Sequence, residues 1–204
     1  MLYKIFKNLF DLIVSLLMVV ILLPVFVLLI VIIKISSKGP AVFSQTRAGK
    51  NGIPFTFYKF RTMKIDVDPF GPSPKSGQDP RLTKIGIFLR KYSLDELPQL
   101  FNVIKGDMSL VGPRPLYVAQ IAEWNQEQKK RLLVKPGITG LAQIRGRGKI
   151  TIEQKLQYDV EYVQNASFLL DMKIILQTIL QVFKGKSIYE KKYSEKQETR
   201  GSQN

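Results

Sequence analysis

The stretch LIVSLLMVVILLPVFVLLIVII, residues 12–33, contains no charged residue, and only Ser15 and Pro24 interrupt its apolar side chains. At about 1.5 Å of rise per helical residue, a run of this length covers a hydrocarbon layer of about 30 Å. A cleaved signal peptide is the alternative, but the apolar run is longer than a signal core and no small-x-small cleavage site follows it. We therefore expect a retained membrane element over residues 1–35.

Pro24 and the flanking charges indicate how this element lies in a membrane. A proline inside a helix removes a backbone hydrogen bond and kinks or breaks the helix. Cations flank both ends, with Lys4 and Lys7 before the apolar run and Lys34 and Lys38 after it. A single span has its positive bias on one side only. The pattern favours a helix that enters, bends at Pro24 and returns to the cytoplasmic face; a kinked spanning helix is the open alternative.

The composition restricts both the partners and the chemistry. The chain has 31 Lys and Arg against 16 Asp and Glu, a net charge of +15, and neither Cys nor His. The positive charge predicts anionic partners, and beside a membrane element these are lipid headgroups and phosphorylated substrates rather than nucleic acid. Without Cys and His, disulfides, thiolate nucleophiles, zinc-thiolate sites and Ser-His-Asp chemistry are excluded. Covalent catalysis is left to a carboxylate, a hydroxyl or a lysine.

The rest of the chain predicts a mostly helical α+β domain over residues 36–184 and a polar tail at residues 185–204. A β-hairpin is expected from Ala41–Arg47 and Phe55–Met63, with a turn at Gly49 and Asn51-Gly52. An irregular loop is expected at residues 66–80. Helices are expected at Lys84–Lys91, from Ser93 or Leu97 to Ile104 with Gly106 closing it, and at Leu116–Leu133, Ile152–Val163 and Phe168–Phe183. The last helix is apolar around most of its circumference, so it either joins the core, which we favour, or lies on the membrane interface.

Cations are concentrated in and around the second hairpin strand. Period-two alternation puts Phe55, Phe57, Lys59 and Arg61 on one face of that strand. Residues 34–65 contain seven Lys or Arg and no acid. The pattern predicts a phosphate-binding wall, a solvated basic face beside anionic lipid, or both.

Asp95 and Glu96 are the strongest catalytic candidates. Ser93 and Glu96 also match a capping box, so a helix-capping role is the structural alternative for the pair. Arg90 precedes the acids, and Pro98 disfavours helical geometry at the residue before it, which places the acids at the mouth of a helix. A carboxylate there is able to attack phosphorus, while its neighbour holds Mg²⁺ against a diphosphate.

Two further segments supply candidate phosphate ligands. Arg114 lies between two prolines that restrict the backbone, so its guanidinium is preorganised for bidentate phosphate contact; a rigid turn with an incidental arginine is the alternative. The stretch KPGITG, residues 135–140, allows close backbone approach to a ligand, and Arg145 and Arg147 follow in an Arg-Gly run. Such a run also occurs in RNA-binding segments, but no aromatic residue is interleaved with it here.

At this point the chain resembles the small monotopic phosphoglycosyl transferases, the bacterial sugar transferases that begin glycoprotein, O-antigen, capsule and exopolysaccharide assembly. The matching stretches are FSQTRAG (43–49), FYKFRTM (57–63), SLDELPQLFNV (93–103), KGDMS (105–109), VGPRP (111–115) and KPGITG (135–140). They occur in the order of the family and cover the chain from the membrane element to about residue 147. A set of this length is highly specific, whereas one six-residue match is not.

The resemblance implies a re-entrant helix broken at Pro24, with the catalytic domain at the cytoplasmic face of the bacterial inner membrane. Many members have Ser-Pro at the break, whereas this chain has Leu23-Pro24 and lacks the serine hydroxyl. The resemblance also implies that Asp95 attacks the β-phosphate of a UDP-sugar, releases UMP and passes the phosphosugar to polyprenyl (undecaprenyl) phosphate. Glu96, with Asp95, is then expected to bind Mg²⁺ or to manage protons. The basic family positions near the phosphates match Lys59, Arg90, Arg114 and Arg147.

Two other functions remain compatible with the residues alone. A non-catalytic basic adaptor that holds anionic lipid or RNA needs neither Asp95 nor Mg²⁺. A membrane phosphohydrolase uses the same nucleophile with water as the acceptor. The sequence does not identify the sugar, and it leaves a homo-oligomer open.

Overall fold

The computed structural model describes residues 2–68, 74 and 76–183. The α-helices within them are α1 (Leu2–Ile21), α2 (Leu23–Ser36), α3 (Lys84–Lys91), α4 (Gln99–Lys105), α5 (Gln126–Lys129), α6 (Leu141–Arg145), α7 (Ile152–Asn165) and α8 (Phe168–Phe183). The strands are β1 (Val42–Ala48), β2 (Pro54–Phe60), β3 (Ser109–Val111) and β4 (Gly137–Thr139). Short 3-10 segments lie at Lys50–Gly52, Leu94–Glu96, Val118–Glu123, Lys130–Leu133 and Arg147–Lys149. The expected mostly helical α+β class is confirmed; the predicted tail at 185–204 and part of the loop at 66–80 lie outside the described residues.

The two N-terminal helices meet at a sharp bend. α1 ends at Ile21, α2 begins at Leu23, and the axes of the two helices differ by 62°. Pro24, in the first turn of α2, has no N–H to donate, and its ring excludes the carbonyl of the preceding turn. Neither helix alone has the length and apolarity needed to cross a membrane, while the bent pair together does, among the residues described. The predicted break at Pro24 is therefore confirmed as a feature of the backbone.

The hairpin forms close to its predicted position. β1 and β2 pair antiparallel, with a register that runs from Val42 opposite Phe60 to Ala48 opposite Pro54. The connecting turn places Asn51 at φ 58° and Gly52 at φ 79°, the left-handed conformation that Asn-Gly pairs adopt readily. β2 ends at Phe60, so the expected alternation of the strand stops one residue before Arg61.

Helix predictions succeed where capping and periodicity agree. α3 and α8 have the predicted bounds, and α7 extends two residues beyond its predicted end. Thr83 caps α3, because its side chain accepts a hydrogen bond from the backbone N–H of Gly86 at 3.0 Å. The local sequence therefore determines these helix positions.

The single helix expected over Leu116–Leu133 is wrong. The segment divides into 3-10 turns on either side of the four-residue helix α5, and both Trp124 and Asn125 have extended backbone. The Asn125 side chain accepts a hydrogen bond from the N–H of Gln128 and starts α5 anew. Trp124 is buried with the guanidinium of Arg131 above its ring, at 4.9 Å from the centroid. This tertiary contact overrides the helical periodicity.

A second, parallel two-stranded sheet joins β3 to β4, and the sequence did not predict it. Glycines allow the two segments to approach each other. A Cβ on Gly137 would lie 2.0 Å from the backbone N of Gly112, and a Cβ on Gly140 would lie 2.2 Å from the Gly112 carbonyl oxygen. The glycines of the 135–140 stretch thus admit another backbone, while Ile138 and Thr139 of the same stretch line the cavity described below.

α8 has two different faces. Asp171 and Ile174 are buried, whereas Leu169 and Phe183 are 81% and 82% exposed and Leu180 is 51% exposed. The favoured interpretation of α8 as a core helix is confirmed for its inner face, where Ile174 belongs to the hydrophobic core. The alternative, an interfacial helix, requires an apolar outer face of this kind.

A buried polar cluster ties the first helix to the last. The Asp171 carboxylate accepts hydrogen bonds from the Lys7 ammonium and the Tyr3 hydroxyl at 2.8 Å, and from the Tyr162 hydroxyl at 2.7 Å. Because these groups are buried or partly buried, each contact replaces lost hydration and fixes the orientation of the helices. The cluster sets α1 beside α8, and these two helices enclose one side of the cavity described below.

Candidate active site

A cavity of about 590 Å³ lies between the hairpin, the Leu94–Glu96 turn, the 112–117 loop and helices α1, α6, α7 and α8. Its volume is within the range of sites that bind small ligands. The charged residues that line it are Arg47, Lys59, Arg90, Asp95, Glu96, Arg114, Arg131, Lys155 and Asp159. Apolar side chains of α1 and α8 line another part of it. The cavity is thus amphipathic, with its catalytic candidates among the charged residues.

The acid pair lies on a 3-10 turn that begins with a strained residue. Ser93 has φ 56° and ψ 21°, the left-handed conformation, and its side chain makes no capping hydrogen bond. The capping box, which was the structural alternative for Ser93 and Glu96, is therefore not formed. The left-handed residue redirects the chain after α3 and carries Asp95 and Glu96 to the cavity wall. Strain of this kind persists only where the surrounding structure enforces it.

The relation of the acids to the next helix also differs from the expectation. Leu97 has φ −54° and ψ −39°, a helical conformation, although Pro98 follows it. The hydrogen bond from the Leu97 N–H to the Leu94 carbonyl, at 3.3 Å, holds that conformation against the bias that proline imposes. α4 begins only at Gln99, so the acids precede it on a separate turn.

Asp95 is buried among opposing charges. Its exposed fraction is 7%. Burial raises the pKa of the Asp95 carboxyl above its ordinary value and the adjacent Glu96 adds to this, whereas Lys59, Arg90 and Arg114 act to lower it. A carboxylate with little hydration and nearby cations is chemically suited to meet an anionic electrophile such as a phosphate.

Lys59 is the second perturbed group of the site. Burial, together with the positive charge of Arg90, lowers the pKa of the Lys59 ammonium to about 8, while Asp95 opposes this shift. The ammonium also lies over the Phe43 ring, at 5.6 Å from its centroid. An additional anion in the cavity would favour its charged form.

Arg90 and Arg114 are held from different elements. Arg90 lies in the last turn of α3, and its Nε donates to the Thr62 hydroxyl at 2.9 Å. Arg114 donates from Nη2 to Oε1 of Glu96 at 2.7 Å, on the rigid loop between its two prolines. The structure therefore brings together five of the predicted site residues: Lys59, Arg90, Asp95, Glu96 and Arg114.

Two other predicted phosphate ligands, Arg61 and Arg145, stand apart from this group. The Arg61 guanidinium donates to the backbone carbonyls of Ser37 and Lys38, because the strand ends at Phe60 and the chain turns toward the end of α2. Arg61 therefore does not line the cavity, although strand alternation predicted that it shares a face with Lys59. Arg145 forms an exposed ion pair with Glu161 at 3.1 Å and does not line the cavity, while the side chain of Arg147 lies outside the described part of the chain.

Sequence reasoning missed Arg47, Arg131 and Asp159 as cavity residues. Arg47 lies over the Tyr117 ring at 3.7 Å, and its place in the acid-free basic segment 34–65 was a usable signal. Arg131 and Asp159 are 28 residues apart in the chain and belong to no common motif. Only the fold shows that they form a pair.

The two adjacent carboxylates also fit a magnesium ion. No group of three or more acidic, Cys or His side chains is arranged for a metal in the described segments. Mg²⁺ commonly takes one or two protein carboxylates and completes its coordination with substrate phosphates and water. Asp95 and Glu96 supply that donor set, with Oε1 of Glu96 held by Arg114.

The cavity thus combines a buried carboxylate and nearby cations with an apolar side. Residues 2–185 match the sequence model of the family described as bacterial sugar transferase, and the chain belongs to that family.

Several relatives have been named. The chain is 50% identical over 159 residues to the galactosyl transferase CpsE of Streptococcus agalactiae, and 44% identical over 186 residues to the uncharacterized sugar transferase EpsL of Bacillus subtilis. It is 42% identical over 193 residues to the UDP-glucose:undecaprenyl-phosphate glucose-1-phosphate transferase of Klebsiella pneumoniae. These alignments cover 72%, 91% and 91% of this chain, and 35%, 91% and 42% of the respective relatives. The chain thus spans well under half of the first and third, and most of the second.

Proposed function

We propose that this chain transfers a sugar-1-phosphate from a UDP-sugar to polyprenyl phosphate, the first membrane step of glycoconjugate assembly. The observation that carries the proposal is the buried Asp95 carboxylate, with Lys59, Arg90 and Arg114 close enough to act on its charge. Support comes from the names of the relatives, two of which, from Klebsiella pneumoniae and Escherichia coli, are UDP-glucose:undecaprenyl-phosphate glucose-1-phosphate transferases.

In the first step an oxygen of the ionised Asp95 carboxylate attacks the β-phosphorus of the UDP-sugar. The bond from the β-phosphorus to the bridging oxygen breaks, and that oxygen leaves with the electron pair as part of UMP. The sugar-1-phosphate is then bonded to Asp95 as an acyl phosphate. The low hydration of Asp95 makes its oxygens available for this attack.

In the second step a phosphate oxygen of polyprenyl phosphate attacks the phosphorus of the acyl phosphate. The bond from phosphorus to the Asp95 oxygen breaks, the carboxylate is regenerated, and a polyprenyl diphosphate sugar is released. Both steps pass through a phosphorus centre with extra negative charge, which fixed cations stabilise.

The cations have separate positioning roles. Lys59 and Arg90 neutralise the oxygens of the transferred phosphate, and Arg114 orients Glu96 through their hydrogen bond. Asp95 and Glu96 would hold a Mg²⁺ ion, which when bound supplies positive charge to the diphosphate. Arg114 also offers a guanidinium fork to a phosphate at the same wall.

We further propose that residues 1–35 dip into the cytoplasmic face of the bacterial inner membrane and return. The 62° bend supports a re-entrant path, and the exposed apolar residues of α1 and α2 need a nonaqueous surrounding. Residues 36–184 then form the catalytic domain at headgroup depth, where a lipid phosphate lies, and residues 185–204 follow as a polar tail. Terminal tags accessible only from the cytoplasm are expected; an N-terminal tag in the periplasm would indicate a spanning helix.

The test uses the purified chain in lipid nanodiscs with a panel of UDP-sugars, including UDP-glucose and UDP-galactose. With the correct donor and no acceptor, we expect an intact-mass increase of one phosphosugar on Asp95, and continuous UMP release only after polyprenyl phosphate is added. Asp95→Asn should abolish both signals, whereas the control Asp79→Asn, at an ion pair with Arg81 outside the cavity lining, should retain them.

Other outcomes identify the competing functions. Continuous release of sugar phosphate without a lipid acceptor would indicate a phosphohydrolase. If no nucleotide sugar is consumed and Asp95→Asn binds anionic vesicles like the unmodified chain, the adaptor function is correct. Normal turnover by Asp95→Asn would exclude the covalent mechanism.

A further inference from the structure

The cavity continues from the acid pair into an apolar compartment between α1 and α8. From α1 it is lined by Phe10, Val14 and Met18, which lie four residues apart and therefore on one face of the helix. Among the lining residues that α1 contributes none carries a charge. The acid pair and this apolar helix face thus belong to the same cavity.

α8 provides the opposite wall. Ile175, Ile179 and Val182 line the cavity, and their spacings of four and three residues define one stripe of the helix. Two polar residues of α8 are engaged by neighbouring segments: the Thr178 hydroxyl, which also lines the cavity, contacts the Thr139 hydroxyl at 2.6 Å, and the Gln181 amide donates to the Ile144 carbonyl at 2.8 Å. These contacts fix the rotation of α8 that presents its apolar stripe to the cavity.

The compartment reaches the surface through apolar side chains. Met18, Ile179 and Phe183 line the cavity and are 37%, 47% and 82% exposed, respectively. Leu176 and Leu180, next to them on α8, are also exposed. The mouth of the cavity is therefore surrounded by apolar surface.

We infer that this compartment binds the first isoprenoid units of the lipid acceptor, with the remainder of the chain leaving through the mouth beside Met18 and Phe183. The inference rests on the proposed function and names the part of the site that recognises the acceptor. A linear polyisoprenoid phosphate matches both the charged and the apolar part of the cavity. Its anionic head group binds the cations beside Asp95, and its apolar tail packs between α1 and α8.

The experiment fills the compartment and separates the two half-reactions. Ile175→Trp and Val182→Trp add bulk on the lining stripe, and Leu176→Trp adds the same bulk on the outer face of α8 as a matched control. We expect the lining variants to raise the KM for long-chain polyprenyl phosphate about tenfold, equivalent to about 1.4 kcal/mol of lost binding. UMP formed in the donor half-reaction, without acceptor, should change less than twofold, which also shows that the variants are folded.

The outcomes distinguish this inference from the proposed function. If both lining variants consume the donor as the wild type does and keep the wild-type KM for the acceptor, the inference is overturned. The proposed function then remains intact. An equal rise in KM for Leu176→Trp would attribute the effect to membrane partitioning and also overturn it. Failure of the wild-type chain to release UMP from any donor would instead overturn the proposed function.

Discussion

The guanidinium of Arg131 donates two hydrogen bonds to one carboxylate oxygen of Asp159, from Nε at 3.0 Å and from Nη2 at 2.8 Å. Both side chains are almost completely buried, and Arg131 also donates to the backbone carbonyl of Arg114. The pair therefore holds the loop that carries Arg114 in place. Burial raises the pKa of the Asp159 carboxyl while Arg131 opposes the shift, so the carboxylate depends on its partner.

Removal of one member of this pair should be costly. Arg131→Met or Asp159→Leu leaves an uncompensated buried charge, which we expect to lower the free energy of unfolding by about 3–5 kcal/mol. The free energy of unfolding of the double variant should fall by less than the sum of the decreases in the two single variants. Denaturant titration in nanodiscs measures this, with Glu127→Gln at the exposed pair with Lys130 as a control near zero. Additive losses would show that the two side chains do not stabilise each other.

Arg114 and Arg145 should respond differently to the same substitution. Arg114→Lys removes the planar fork that contacts Glu96, and a charged hydrogen bond of about 1.5–3 kcal/mol corresponds to a loss of about 10- to 100-fold in kcat/KM. Arg145→Lys, at an exposed ion pair outside the cavity, should change kcat/KM less than twofold. A large effect of Arg145→Lys would restore Arg145 to the phosphate-binding group.

The fall of kcat/KM at alkaline pH should report the deprotonation of the Lys59 ammonium. Its pKa is lowered to about 8, so the ammonium is charged below that pH and neutral above it. If the charge is needed to bind the donor diphosphate, kcat/KM should fall as the pH rises through about 8, because this parameter reports groups of the free enzyme. Lys59→Arg keeps its charge and should lack this alkaline fall. The same alkaline fall in Lys59→Arg would assign the titration to another group.

Ser93 should tolerate glycine better than a branched residue. A non-glycine residue in the left-handed region costs about 1–2 kcal/mol, so Ser93→Gly should leave stability unchanged or raise it by about 1 kcal/mol, whereas Ser93→Val should lower it. Ser93→Ala should cost little, since no side-chain cap is lost. Thermal unfolding and UMP release provide the measurements. A loss in Ser93→Ala of the size of a true N-cap would mean that the hydroxyl caps the turn after all.

Most elements that carry their own local signal could be predicted. Pro24 determines the break between α1 and α2, Asn51-Gly52 determines the hairpin turn, and Thr83 starts α3 at the expected residue. In each case the side chain or the backbone restriction acts within a few residues of the structure it produces. The sequence pattern alone is then sufficient.

Elements that depend on distant partners could not be predicted. The helical pattern is interrupted at Trp124 because the guanidinium of Arg131 packs on its ring. Strand β3 pairs with β4 only because Gly112 and Gly137 let the two backbones approach closely. Hydrophobic periodicity contains no information about such contacts. It predicted one long helix where tertiary packing produces three short turns.

The candidate site divides in the same way. Asp95, Glu96 and Arg114 lie in short motifs whose chemistry is visible in the sequence, whereas Arg131 and Asp159 meet across 28 residues and become visible only when folded. For Arg61 the sequence pattern predicted a shared face that the fold does not form. Its alternation with Lys59 predicted a shared face, but the strand ends before it and its guanidinium supports the end of α2.

The contact between Lys7 and Asp171 joins residues 164 positions apart. During synthesis the N-terminal helix leaves the ribosome long before its electrostatic partner exists. Until nearly the whole domain has been translated, the acid beside Lys7 is Asp11 of its own helix, at 3.9 Å. The contact that joins α1 to α8 therefore forms only late in synthesis, and a chain stalled before residue 171 would lack it while Asp11 still accepts a hydrogen bond from the Ser109 hydroxyl.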